Sequence, residues 1–174
     1  MADRKLPNIL ITGTPGTGKT TMAELAAIKT GLHHIDVSAL VKAEGLHEGH
    51  DTEFDTYILD EDKLLDALEI IVAPGGKIID FHTCEIFPER WFDLVLVLGT
   101  DNTTLYDRLA ERGYSQRKIQ ENVECEIMQV VQQAAGESYQ PEIVVNLEST
   151  TPEQMEQNLD RLAQWLDDYV AKNA

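Results

Sequence analysis

The chain has 174 residues, 43% of them apolar and 26% charged, which is the size and composition of one compact globular domain and excludes a disordered or collagen-like chain. Its longest apolar stretch, residues 94–98, is far short of the ~20 residues that cross a bilayer. With 14 Lys plus Arg against 31 Asp plus Glu the net charge is −17, so a broad nucleic-acid-binding face is disfavoured and any anion the protein handles needs a local site.

Two cysteines, Cys84 and Cys125, make neither a multi-bridge framework nor a zinc pair. The start of the chain runs straight into a strand-like pattern. No cleaved export signal and an intracellular protein are therefore expected.

Residues 8–12 (NILIT) form a short apolar run between Pro7 and Gly13 and read as a buried strand. Met22, Leu25, Ala26 and Ile28 recur at helical spacing over residues 19–30 before Gly31 stops them. Residues 33–36 read as a second strand and 38–44 as a short helix. The polar, acidic stretch 45–57 shows no period and reads as a loop or mobile insertion. Asp60 can cap a helix to about residue 73, whose Leu64, Leu65, Leu68, Ile71 and Val72 share a stripe.

Residues 77–81 and 92–98 read as two more buried strands and 102–111 as a helix broken at Gly113. Ile119, Val123, Ile127, Val130, Val131 and Ala134 predict one amphipathic helix, and residues 142–147 a fifth strand. Thr151-Pro152-Glu153-Gln154 combines a capping box with proline at the first helical position, opening a last helix lined by Met155, Leu159, Leu162, Leu166 and Tyr169. Strands alternating with helices predict an α/β fold, a parallel sheet with helices on both faces.

The segment Gly13-Thr14-Pro15-Gly16-Thr17-Gly18-Lys19-Thr20 matches G-x-x-x-x-G-K-[ST] at a predicted strand-to-helix junction. Its glycines let backbone N–H groups curl around phosphate oxygens, Lys19 adds a mobile positive charge, and Thr20 places a hydroxyl on Mg²⁺. The pattern therefore predicts a site for a nucleoside triphosphate with Mg²⁺. Asp80, at the end of residues 77–80 (KIID), is the candidate carboxylate for the metal shell, alongside the plain reading of a strand-ending aspartate. Two residues on, His82 is placed to orient or deprotonate a water or to order the metal shell; its other reading is a hydrogen-bonded loop histidine.

Arg108, Arg112, Arg117 and Lys118 put four of the 14 basic residues within eleven positions. They stabilise a helix end, or Arg112 and its neighbours close over the triphosphate as charge develops in phosphoryl transfer. Arg90 and Lys42 are lesser candidates for a second nucleotide's phosphate. His47-Glu48-Gly49-His50-Asp51 imitates a metal site but has no cysteine support. A GTPase would need an N-K-x-D guanine reader, which the chain lacks.

The run from Gly13 to Thr21 resembles the phosphate loop of adenylate kinases. Together with Ile79-Asp80-Phe81-His82, Phe87-Pro88-Glu89-Arg90-Trp91, Ile58-Leu59-Asp60-Glu61-Asp62 and Arg112-Gly113-Tyr114, it resembles the adenylate kinase isoenzyme 6 family, also known as coilin-interacting nuclear ATPase and, in yeast, as a small-ribosomal-subunit maturation factor. The resemblance covers nearly the whole chain. It implies a P-loop NTPase domain of the nucleoside-monophosphate-kinase kind over residues 1–174, with a monophosphate-binding insertion at about 36–59 and a short lid at about 111–121. It also implies both ATP–AMP phosphotransfer and ATPase activity, with Mg²⁺, and a role in small-subunit maturation beside a basic ribosomal protein and pre-ribosomal particles, in nucleus and cytoplasm.

By position, the ATP-binding residues fall on Gly13, Pro15, Gly16, Thr17, Gly18, Lys19, Thr20, Thr21 and Arg112, the strand-end aspartate on Asp80 and its associated histidine on His82. Lys42 stands where the family pattern has arginine and Thr83 where it has glycine, departures that point toward ATPase exceeding kinase activity. The rival reading is a nucleotide-switched assembly factor whose kinase turnover is incidental. Ten acidic residues against one lysine between Glu44 and Glu69 make that segment either a solvated face or the surface for a basic partner.

Overall fold

The computed structural model describes residues 4–53 and 56–174. Strands β1 (Ile9–Gly13), β2 (His33–Asp36), β5 (Lys77–Asp80), β6 (Leu94–Gly99) and β7 (Val144–Glu148) form a parallel sheet in the order β2-β5-β1-β6-β7. The remaining strands, β3 (His47–Asp51) and β4 (Thr56–Leu59), make a separate antiparallel hairpin.

Alternation along the strands divides the core in two. Ile9, Ile11, Ile78, Leu94, Leu96 and Leu98 face helices α1 (Lys19–Thr30) and α7 (Pro152–Lys172), which contribute Met22, Ala23, Ala26, Leu162 and Leu166. Leu10, Ile79, Val95 and Val97 face the other way, onto α2 (Val37–Glu44), α3 (Glu61–Val72) and α6 (Val130–Ser138) through Val37, Val41, Leu64, Leu68, Val72 and Ala135. The central strands β1 and β6 are buried on both faces and read as unbroken apolar runs, whereas the edge strands β2 and β7 are partly exposed and carry polar residues. A third small core of Leu105, Leu109 and Ile119 joins α4 (Asn102–Glu111) to α5 (Gln116–Ile127).

Three expectations change. Residues 45–57 are not a featureless loop. The β3–β4 hairpin occupies most of them, with the Tyr57 ring 4.3 Å from that of His47 and 5.4 Å from that of His50. The register shifts between His47 and Gly49, and although exposure alternates along His47–Asp51 the residues there are polar or glycine, so the two-residue period leaves no hydrophobic pattern in the sequence. Phe54 and Asp55 lie outside the described residues.

The single helix expected across 119–134 is two helices, because Gln129 adopts φ 53° and ends the run begun in α5. Residues 92–93 also precede β6 rather than belong to it. Phe92 is buried in an aromatic cluster with Phe87, Trp91 and Tyr139, following a short 3-10 turn, Glu89–Trp91.

Candidate nucleotide site

The glycine-rich segment links the central strand β1 to α1, at the C-terminal end of the sheet. Gly16 has φ +94°, and a Cβ there would stand 2.8 Å from Leu105 Cδ1 and 2.9 Å from Leu109 Cδ2, so glycine lets the loop lie against α4. Thr17 steadies the loop from inside, its hydroxyl donating to the Thr14 carbonyl at 2.7 Å and its carbonyl accepting from Ser149 Oγ at 2.7 Å.

The helix starts are informative. Asp36, Asp60, Asp101, Ser115 and Thr151 cap α2, α3, α4, α5 and α7 with a side chain accepting from the backbone. Helix α1 opens at Gly18 with no side-chain cap and no acidic residue in its first turn. Helix α6 also opens without a side-chain cap, at Gln129; α1 differs in that its uncapped start follows the glycine-rich loop, whose N–H groups and helix dipole together fit an anion.

Lys19 sits at that opening, with Nζ donating to the Thr14 carbonyl at 3.3 Å. Burial of its ammonium group is the main cause that brings its pKa down to about 8; Arg112 pushes the same way, while Asp80, Glu126 and Asp36 oppose. Thr20 Oγ1 donates to Asp80 Oδ2 at 2.8 Å, and His34 Nε2 lies 3.1 Å from the same oxygen. Asp80 reaches this position because it ends β5 opposite Ile11 of β1 and Asp36 of β2, on the sheet face that α1 covers. A hydroxyl and a carboxylate oxygen side by side are hard donors of the kind Mg²⁺ takes, so the residues present fit that ion.

His82 is exposed two residues beyond Asp80, its ring 4.4 Å from that of Phe81. Loss of water around the ring, then the charge of Lys19, lower its pKa to about 4 against the pull of Asp80, and the imidazole is neutral at neutral pH. Arg112 closes the C-terminal end of α4, exposed, and near enough for its charge to act on Lys19. Pro15 lies in the same loop, and Thr21 follows Thr20 on the exposed first turn of α1.

The rest of the basic cluster divides its tasks. Arg108 turns inward and donates to the carbonyls of Gly16 at 3.2 Å, Ser149 at 2.9 Å and Thr150 at 3.1 Å, tying α4 to the phosphate loop and to the β7–α7 connection. Lys118 Nζ lies 4.2 Å over the Tyr114 ring. Arg117 pairs with Glu53 of the β3–β4 turn at 2.5 Å, joining the two segments that flank the site.

The two lesser candidates are not brought to the loop. Lys42 is an exposed residue of α2, with Nζ 5.7 Å over the Tyr57 ring. Arg90 lies at the opposite end of the sheet. Its guanidinium pairs with Glu69 at 2.8 Å and its carbonyl accepts from Arg4, beside the starts of β1 and β6. The connection leaving β5 has by then crossed back to the N-terminal edge, so Arg90 does not serve the phosphate-loop site. Sequence reading missed His34, Arg108 as a strut, and Glu126, a buried carboxylate that accepts from Thr14 Oγ1 at 3.3 Å.

A parallel sheet of this strand order with the glycine loop on its central strand is the architecture of P-loop kinases, and solved structures of that class superpose on it. Shikimate kinase from Acinetobacter baumannii, solved with shikimate, matches with a TM-score of 0.65 over 94% of each chain at 15% identity, which shows a common fold. Residues 9–129 match the AAA domain family. Adenylate kinase isoenzyme 6 homologs from Dictyostelium discoideum and Schizosaccharomyces pombe are each 54% identical to the chain, over 98% of it and 97% of the relative in the first case and 94% of both in the second. The chain belongs to the adenylate kinase isoenzyme 6 family and is a kinase.

Proposed function

We propose that the chain transfers the γ-phosphoryl group of MgATP to AMP, giving two ADP, and also to water in an ATPase reaction. The observation that carries this reading is the convergence of Lys19, Thr20 and Asp80 at the start of α1, which is left uncapped at the end of the glycine loop.

The loop and the start of α1 bind the triphosphate through N–H groups, and Lys19 follows the β- and γ-phosphates. Thr20 and Asp80 would hold Mg²⁺, which would supply charge neutralisation at the transferring group. Asp80 is held in place by Thr20 and His34. Arg112, on the segment 111–121 that acts as a lid, stabilises the charge that spreads over the phosphoryl oxygens in transit. Residues 36–59 form the insertion that receives AMP, with Lys42 toward its phosphate as a point charge where arginine would make a two-pronged contact. A neutral His82 with so low a pKa orients water as a hydrogen-bond acceptor and is a weak base for it.

A second reading, an ATP-switched assembly factor for a basic small-subunit ribosomal protein in pre-ribosomal particles of nucleus and cytoplasm, is favoured by the net charge of −17 and by the acidic run from Glu44 to Glu69. Part of that run is already engaged: Asp60 caps α3, Glu69 pairs with Arg90 and Glu53 with Arg117. Steady-state ADP formation with and without AMP, and with and without the purified basic protein, separates the two readings. Stimulation by AMP supports the kinase and stimulation by the protein supports the assembly factor. Turnover that Lys19→Ala leaves intact rejects both.

A further inference from the structure

Along the inward edge of α5 the residues are Ile119, Val123 and Glu126, so a carboxylate takes the third place in an apolar stripe. Glu126 is 6% exposed, and both oxygens are occupied. Oε2 accepts from the Thr100 N–H at 2.9 Å; Oε1 accepts from Gln132 Nε2 at 3.0 Å and from Thr14 Oγ1 at 3.3 Å. A buried carboxylate is tolerated only when donors replace the water it lost, and these three come from three different parts of the fold. Thr14 is in the phosphate loop. Thr100 precedes Asp101, the cap of α4, which carries Arg108 and Arg112. Gln132 is on α6.

The chain is distorted to complete this arrangement. Gln129 is the one non-glycine residue with positive φ among the described residues, at 53°. Were α5 and α6 one straight helix, a residue six positions after Glu126 would lie about 120° around the axis from it. The break turns the first turn of α6 back, and Gln132 reaches the carboxylate.

We propose that Glu126 is a positioning residue for phosphoryl transfer: by holding Thr14 and the Thr100 backbone at once, it fixes the phosphate loop against α4 and so sets where Arg112 stands over the transferring group. The inference rests on the phosphoryl-transfer reading above. Glu126 touches neither nucleotide nor metal, and acts through the loop and the helix that do.

The test is steady-state kinetics with MgATP and AMP on full-length Glu126→Met, which keeps the bulk and removes every acceptor, and on Gln132→Met, which leaves the carboxylate and removes the donor that aims it. Rates are taken per nucleotide-binding site, below the melting temperature of each variant. We expect kcat to fall at least tenfold in Glu126→Met and about threefold in Gln132→Met, with KM for MgATP within twofold of the unaltered protein. Glu126→Gln should recover part of the loss, since its carbonyl still serves Thr100 and the Gln132 amide can turn its unpartnered oxygen toward the new N–H.

A residue that only stabilises the fold would lower the melting temperature and leave kcat per site unchanged. That result, or KM rising in step with the fall in kcat, overturns the proposal. If Glu126→Met does not fold, Gln132→Met decides on the same criteria. Absence of turnover in the unaltered protein would instead reject the phosphoryl-transfer reading, a distinguishable failure.

Discussion

The two ends of the sheet are built from the same residue types and use them in opposite ways. At the N-terminal ends of the strands the charges satisfy one another. Arg4 pairs with Asp93 at 3.0 Å with both side chains nearly buried, Asp93 also accepts from the Asn8 N–H, and the Asn8 side chain ties Val72 to Lys77. At the C-terminal ends no ion pair closes on Lys19: Asp80, Asp36 and Glu126 act on it only through their charge while they bond to Thr20 and His34, to the Ala39 N–H, and to Thr14, Thr100 and Gln132, and beside it stand an uncapped helix start and a neutral histidine. The lesson is that closed pairs build the domain and unclosed ones mark where a ligand completes the electrostatics.

Breaking the open end should abolish chemistry and spare the fold. Lys19→Ala removes a charge from the transferring phosphates; turnover should fall by about 10³-fold or more with the thermal midpoint little changed, read by rate and melting curve on the same sample. Since Lys19 titrates near 8 in the free protein, kcat/KM for MgATP should decline as pH rises through that value, because the lost proton carries the charge that meets the phosphate. Breaking the closed end should do the reverse. Asp93→Ala leaves Arg4 and the Asn8 N–H without their carboxylate and should cost about 3 kcal/mol in denaturant unfolding, with activity per folded molecule preserved.

Smaller effects sharpen the contrast. Arg112→Ala should lower kcat about a hundredfold and MgATP affinity little, as expected for a group that acts when charge develops; equal losses in both would return it to a helix-end role. His82→Ala should reduce ATPase about tenfold more than AMP phosphorylation if it orients water, and both equally if it orders the metal shell. Smallest of all, Arg117→Ala removes an ion pair whose side chains are 58% and 57% exposed, and its effect on stability should stay within about 1 kcal/mol.

The parts legible in the sequence are those whose physics is local. Gly13 to Thr20 is contiguous, the central strands β1 and β6 are continuous apolar runs, and the caps Asp60 and Thr151 each act within a few residues of themselves. What stayed hidden depends on chain-distant contact. Arg108 meets Gly16 across 92 positions, His34 meets Asp80 across 46, and Thr14 meets Glu126 across 112. Glu126 left one trace, a carboxylate in the inward stripe of Ile119 and Val123, which reads as a misplaced surface residue until its donors are known. The left-handed Gln129 leaves no trace, since glutamine is an ordinary helix residue. Arg90 was misplaced because the length of a connection does not say to which end of the sheet it returns.

The most direct measurement of the central claim follows label from the γ-position of MgATP in the presence of AMP. We expect both labelled ADP and labelled inorganic phosphate from the unaltered protein, and loss of both in folded Lys19→Ala. Formation of either product by Lys19→Ala at the rate of the unaltered protein, or of neither by the unaltered protein, would contradict it.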